Sequence, residues 1–263
     1  LTKNTGQNWG ASTAAGGTPG AANSLRATNV APLITGVKHT PAIPKSTDPV
    51  VISANLTDEL AATSSSLTAT LYWRIATTAS PGAFQTTAMT NDGTGTFTAT
   101  LAPQADKAIV EFYVSATDGT LTRTWPASTN EGQNANCAYQ VDNEVIAGPA
   151  PAYRLILTGA ENAAFTTYTG GTSTTTPGTG GPGGIGGGGA GGGSIGDRQF
   201  NFTLVAATGD DTTIRYLSSM RVRGNSSRNY TIKPLRISLP TDDRWNGISD
   251  FLINQIGRAS CRE

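Results

Sequence analysis

The sequence predicts a mainly β protein. Three observations carry that prediction: apolar residues alternating with period two in short runs, turn residues at regular spacing between the runs, and few charges among abundant Thr, Ser, Ala and Gly. Charged residues make up 14% of the 263 positions, well below the ~25% of an average soluble protein. The run 50–56 puts Val50, Ile52, Ala54 and Leu56 on one face, and the next puts Leu67, Ala69, Leu71 and Trp73 on one face. Both match half-buried strands, whose successive side chains point to opposite faces. Asn91-Asp92-Gly93 supplies a tight turn before Phe97–Leu101, and Ile109–Ala116 reads as a long core strand ending at Asp118-Gly119; such Asx-Gly pairs favour hairpins because both residues tolerate positive φ. From 31 to 142 the pattern is that of an all-β antiparallel sandwich.

At this length two ordinary domains are the expectation. The strand order of the first, with the phrase Glu111–Asp118, resembles an Ig-like or fibronectin type III-like spacer. Gly148-Pro149-Ala150-Pro151 fixes extended backbone and marks a boundary within a linker at 143–152. A second unit then runs from 153 to 255. Tyr153–Thr158 is a compact apolar strand, Phe200, Phe202 and Leu204 alternate, Ile214-Arg215-Tyr216 and Met220–Arg223 follow, and Lys233, Leu235, Ile237 and Leu239 alternate again. The expected product is an antiparallel sheet with no clear helix. Between its strands, 170–196 is nearly all Gly, Thr, Ser and Pro; it holds too little apolar surface to offset its ordering entropy and is expected to be a disordered insertion.

Several function classes fall away on composition. The formal net charge is zero, so no field of one sign draws nucleic acid or an anionic membrane. The longest apolar runs, such as Leu155–Leu157, fall far short of the ~20 residues of a spanning helix. His39 is the only histidine, expected on an exposed loop, which excludes a three-His zinc site and leaves a Ser-His-Asp arrangement resting on one residue. Cys137 reads as a small buried hydrophobe on a strand. Trp73 and Trp125 fit either the ordinary core Trp of a sandwich or a carbohydrate platform. Asn91-Asp92-Gly93 lacks the further carboxylates of a calcium loop. No metal site is expected.

The chain begins at Leu1 with no charged n-region or apolar h-region, so any signal peptide is expected upstream. At the other end, 256–263 breaks the preceding pattern and resembles the translation of a sequencing adapter; it is set aside, and Cys261 with it. Residues 1–30, with Trp9 and the turn Gly17-Thr18-Pro19-Gly20, read as a linker or as the end of a lamin-tail module, which Asn8-Trp9-Gly10 through Ser24 resembles.

One constellation suggests chemistry. Arg221, Arg223 and Arg228 offer positive charge, Gly224 permits close backbone approach, Asn225, Ser226 and Ser227 offer small donors, and Lys233 opens the following strand. These are the needs of phosphate binding, in which positioning and electrostatics do most of the work; an ordinary polar hairpin has the same composition. Arg221-Val222-Arg223-Gly224-Asn225-Ser226-Ser227-Arg228, with Tyr153–Leu157, Asp197–Phe202, Lys233–Ile237 and Pro240–Gly247, resembles the start of the CotH kinase domain. The resemblance implies an incomplete, mostly antiparallel N-terminal lobe of a kinase-like α+β domain, in a secreted or cell-surface bacterial modular protein. It implies ATP and Mg2+ as cofactors of the complete protein, phosphorylation of protein hydroxyls as its activity, and Arg221, Arg223, Gly224, Asn225, Ser226, Ser227 and Lys233 as the nucleotide site. The family's catalytic and metal-binding carboxylates lie further along, so this piece alone is expected to be inactive and to bind no cofactor. The adjacent Asp242 and Asp243 read as a turn or helix cap, and Asp210-Asp211 as a hairpin turn. The competing readings are a non-enzymatic adhesion or structural surface protein and a carbohydrate-binding module.

Overall fold

The computed structural model describes residues 7, 11–128, 132–145, 152–168, 198–208, 211–223 and 233–253. The protein is mainly β, as its alternation predicts. Nine strands form the first unit: β1 (Leu33–Thr40), β2 (Val50–Thr57), β3 (Thr68–Ile75), β4 (Gln85–Ala88), β5 (Thr90–Asn91), β6 (Thr96–Leu101), β7 (Ile109–Thr117), β8 (Thr122–Trp125) and β9 (Cys137–Gln140). One sheet runs β1-β2-β6-β5 and the other β4-β3-β7-β8, with β9 on the same edge of β7 as β8, paired to its first half. This is the strand order of an Ig-like sandwich, in which consecutive strands cross between sheets. Val50, Ile52, Ala54 and Leu56 all point inward and are at most 2% exposed. Facing them are Leu71, Val110, Phe112, Val114 and Cys137, each fully buried, so the lone cysteine is a core hydrophobe on β9. Asn91-Asp92-Gly93 makes the expected turn: Gly93 has φ +87°, and Asp92 Oδ1 accepts the Thr94 N–H at 2.7 Å.

The second unit is a five-stranded antiparallel meander of β10 (Ala152–Ile156), β11 (Phe200–Thr208), β12 (Asp211–Val222), β13 (Leu235–Ser238) and β14 (Asp250–Ile253). One face carries Phe200, Phe202, Leu204, Met220 and Ile237, packed with Phe165, Trp245 and Phe251 into a core of its own. A helix, α1 (Gly159–Thr167), lies between β10 and β11 in sequence and packs on β11, correcting the expectation of a helix-free unit. Its signal is short: Thr158 is the N-cap, its Oγ1 accepting the Glu161 N–H at 3.3 Å. That is the Thr-x-x-Glu start signature, here without a long amphipathic run behind it.

The two units share a core. β12 pairs with β11 through an irregularity beside Leu217, which has φ +55°. Tyr216, next to it, enters the sandwich, 7% exposed, against Phe112, Trp125 and Tyr139. Its hydroxyl accepts the His39 N–H at 3.0 Å and donates to His39 Nδ1, while His39 Nε2–H donates to Ala42 O at 3.1 Å. His39 is therefore a strand residue, 1% exposed, and the expectation of an exposed loop histidine is corrected. No local signal marks this position, because its partner lies 177 positions away. Burial depresses the imidazole to about 4, and the neutral Nε2–H tautomer satisfies both hydrogen bonds.

Three further contacts join the units. Gly159 N–H donates to Ala76 O at 2.7 Å. A Cβ at Gly159 would sit 2.3 Å from the Thr78 carbonyl carbon and 2.4 Å from Thr77 O, so only glycine permits this approach. Thr203 Oγ1 accepts the Ala138 N–H at 3.2 Å. Asp142, at the sandwich exit, is paired with both Lys107 and Arg154 of β10. Burial alone would raise its carboxyl, but hydrogen bonds from Lys107 and Arg154 outweigh that and hold it well below the usual carboxylate range.

Candidate functional site

The predicted phosphate residues divide at the edge of the described structure. Gly224, Asn225, Ser226, Ser227 and Arg228 lie outside the described residues, as do the 170–196 insertion, the 256–263 tail, and Asn8-Trp9-Gly10 of the lamin-tail-like stretch, whose remainder from 11 to 24 is described. Arg221, Arg223 and Lys233 lie inside and come together at one end of the β12–β13 ladder. Arg221 is directly opposite Arg236, and Arg223 N–H donates to Pro234 O at 2.9 Å. Strand alternation puts Arg221, Arg223 and Arg236 on one face, away from Met220, Val222 and Ile237. Like charges directly opposite on a sheet repel, which favours a counter-charge between them. Arg236 has one in Asp250 at 3.2 Å, and Arg221 and Arg223 are themselves in contact with other groups. Lys233 directs its ammonium at Tyr168 O, 2.8 Å away, and keeps two further donors.

The same face of this sheet lines a cavity of about 210 Å³ against the sandwich. Asn201 and Thr203 from β11, Thr158 and Glu161 from the start of α1, and Arg74, Glu111 and Asn136 from the sandwich converge there. Asn201 is opposite Ser219, two residues before Arg221, so the basic end of the ladder continues the cavity's floor. Arg74 Nε donates to Glu111 Oε2 at 2.7 Å, and Asn136 Nδ2 to Glu111 Oε1 at 2.6 Å. Glu161 differs: its Oε2 is buried and has no partner. Burial raises the Glu161 carboxyl, against the lowering influence of Arg198 and the Asn201 N–H. A carboxyl raised by burial, with one oxygen left without a partner, can exchange a proton or hold a cation. The cavity is below the ~300–1,000 Å³ of drug-sized sites and matches a phosphate-sized group better than a whole nucleotide.

For the implied nucleotide the described cations fit in charge. For Mg2+ the fit is poorer, since Asp243 lies 3.5 Å from Arg215 and Asp250 is paired with Arg236. Asp242 and Asp243 occupy a turn as expected, with the Asp243 N–H donating to Pro240 O at 3.1 Å. The Asp210-Asp211 turn falls partly outside the described residues; Thr208 and Asp211 pair across it. Trp73 and Trp125 are half-buried against the sandwich core, Trp73 Nε1–H donating to Thr87 Oγ1 at 3.2 Å and Trp125 edge-on to Tyr216, which favours the core role over a carbohydrate platform. Among the described residues no helix is long and apolar enough to cross a membrane.

Ladder, cavity and joint define a mainly β protein in which a sandwich and a meander form one body. No protein-family model matches the chain, and no curated protein matches it in sequence.

Proposed function

We propose that this chain is the spacer sandwich and opening sheet of a CotH-like atypical protein kinase, carried by a secreted or cell-surface modular bacterial protein. The supporting observation is the convergence of Arg221, Arg223 and Lys233 at one end of the β12–β13 ladder, on either side of Gly224-Asn225-Ser226-Ser227. In this reading the arginines and Lys233 hold the phosphates of ATP, the glycine admits them close to the backbone, and Mg2+ is held by carboxylates supplied further along the complete protein. This chain by itself transfers no phosphate, and ATP-dependent labelling of any protein by it would contradict the reading.

The test uses the complete protein, comparing Lys233→Ala and Arg221→Ala with the parent. Losing a charge-assisted contact to phosphate should weaken ATP binding about tenfold or more, with parallel loss of phosphotransfer and a nearly unchanged thermal midpoint. Unchanged nucleotide affinity in both variants would end the assignment. The second reading, a non-enzymatic adhesion or structural surface protein, draws on the Lys233–Tyr168 hydrogen bond, which gives that lysine a structural role; it predicts a lower midpoint for Lys233→Ala and no ATP binding by the parent.

A further inference from the structure

At the pole of the sandwich where the chain enters it, three acidic residues meet that are far apart in sequence. Asp58 and Glu59 follow β2, and Asp118 follows β7; one carboxylate oxygen from each lies within 4.8 Å of the others. None of the ion pairs formed among the described residues involves them. Three carboxylates so close repel one another, and a protein without a use for them would place a lysine or arginine between them.

The oxygen inventory is more specific than the charge. Each carboxylate commits one oxygen to backbone: Asp58 Oδ1 accepts the Leu60 N–H at 2.9 Å, Glu59 Oε1 the Val30 N–H at 2.8 Å, and Asp118 Oδ1 the Thr120 and Leu121 N–H groups at 2.6 Å each. The second oxygens of the two aspartates are buried, while Glu59 is exposed. Asp118 is only 5% exposed, yet its Oδ2 has no partner, and neither has the buried Asp58 Oδ2. Asn29, whose side chain bonds to Asp118, adds a third buried orphan, Oδ1. Of the six buried side-chain polar atoms without a partner among the described residues, three are oxygens of these neighbours. An orphaned buried acceptor is costly, and three on neighbouring residues, all acceptors, suit a ligand that brings positive charge. The N–H groups on Asp118 hold its carboxyl below the usual range, so it is ionised at neutral pH.

We propose that Asn29, Asp58, Glu59 and Asp118 form a calcium site that fastens the segment before β1 to the pole of the sandwich. Calcium accepts about six to eight oxygens at 2.3–2.6 Å from mixed carboxylate, amide and water ligands with loose geometry, whereas Mg2+ demands near-octahedral order at about 2.0–2.1 Å. Three carboxylates and one amide oxygen from three separate segments suit the larger ion. The site lies at the far end of β7 from Ile109, about 30 Å away along nine residues, so it is separate from the basic ladder and independent of the kinase reading.

The test is the thermal midpoint of this chain, freed of metal by chelation and then titrated with CaCl2 or MgCl2 to 10 mM, with calorimetric titration of Ca2+ alongside. Once Ca2+ exceeds its Kd about 100-fold, the midpoint should rise by ~5–10 °C, with little response to Mg2+. Asp58→Asn and Asp118→Asn each keep an oxygen for the backbone N–H bonds. In the metal-free state Asp58→Asn should melt at or above the parent's midpoint, since repulsion is relieved, whereas Asp118→Asn should melt somewhat below it, because its charge-assisted N–H bonds are weakened; both should lose at least tenfold in Ca2+ affinity. Absence of binding heat and midpoint shift up to 10 mM Ca2+ would overturn the site, and so would full retention of the response in both variants. Should Asp118→Asn fail to fold, Asp58→Asn alone decides.

Discussion

Acid should weaken this protein through His39 before it touches any carboxylate pair. The imidazole is enclosed by Phe112, Tyr139 and Tyr216 and is pushed down to about 4 from an ordinary 6.5. As pH falls below 6.5 the unfolded chain takes up a proton that the folded chain refuses, so stability is fully present above pH 6.5 and is lost progressively down to pH 4. A difference of ~2.5 pH units at 1.36 kcal/mol each corresponds to ~3 kcal/mol. For a chain of this size that is ~6–12 °C of thermal midpoint. The assay is thermal unfolding from pH 4 to 8, comparing the parent with His39→Gln, whose amide can still donate to Ala42 O and accept from Tyr216. Asp142 and the other acids titrate in both proteins and cancel in the difference. That difference should be flat above pH 6.5 and should narrow as pH falls to 4, because only the parent carries the histidine penalty. Parallel curves throughout would mean that His39 ionises equally in both states and would refute the reasoning.

Tyr216→Phe should cost ~1–3 kcal/mol in a midpoint measurement at pH 7, since it strips the partner from both the His39 N–H and Nδ1 in a buried place. Gly159→Ala should lower the midpoint strongly and raise hydrogen exchange at Ala138 and Gly159, because its methyl meets Thr77 and Thr78 backbone at under 2.5 Å; an unchanged exchange pattern would show that α1 can shift at no cost. Asp142→Asn should destabilise by ~3 kcal/mol or more at pH 7, with Arg154 left partly buried without its counter-ion. Since the Asp142 carboxyl is held well below its usual range, the advantage of the parent should begin to shrink only below about pH 4 and persist in part at pH 2, a course that chemical unfolding at pH 2–7 follows.

The sandwich was legible because its signals are local. Alternation in Val50–Leu56 and the Asn91-Asp92-Gly93 turn each occupy a handful of consecutive residues, and the backbone obeys them. The parts that escaped depend on contacts across the chain. Nothing near His39 announces Tyr216, and nothing in Ile214-Arg215-Tyr216 reveals that an irregularity at Leu217 changes which side of the sheet the tyrosine serves. The acidic pole was missed for the same reason: Asp58-Glu59 and Asp118 each look like a solvated turn, and only strand order makes them neighbours. The helix escaped differently, since a single capping signature was outweighed by nine residues with no apolar stripe. Of the phosphate residues, sequence order alone brought Arg221, Arg223 and Lys233 to one hairpin end, but it could not foresee that Tyr168 would occupy the lysine's ammonium.

The joint at Tyr216 also sets how a pulling force would travel through the molecule. A tether between modules ordinarily stands in series with them, so tension straightens it first. Here the stretch from Asp142 to Arg154 runs in parallel with an ion pair between those two residues, and with an aromatic side chain seated in the opposing core. Load therefore passes from the sandwich into β12, and extracting Tyr216 sideways means exposing Phe112 and uncovering His39 before any strand unzips. Such a joint transmits torque as well as tension, so whatever β12 and β13 present is held at a fixed bearing to the sandwich, and a protease nick between 143 and 151 leaves the two halves joined.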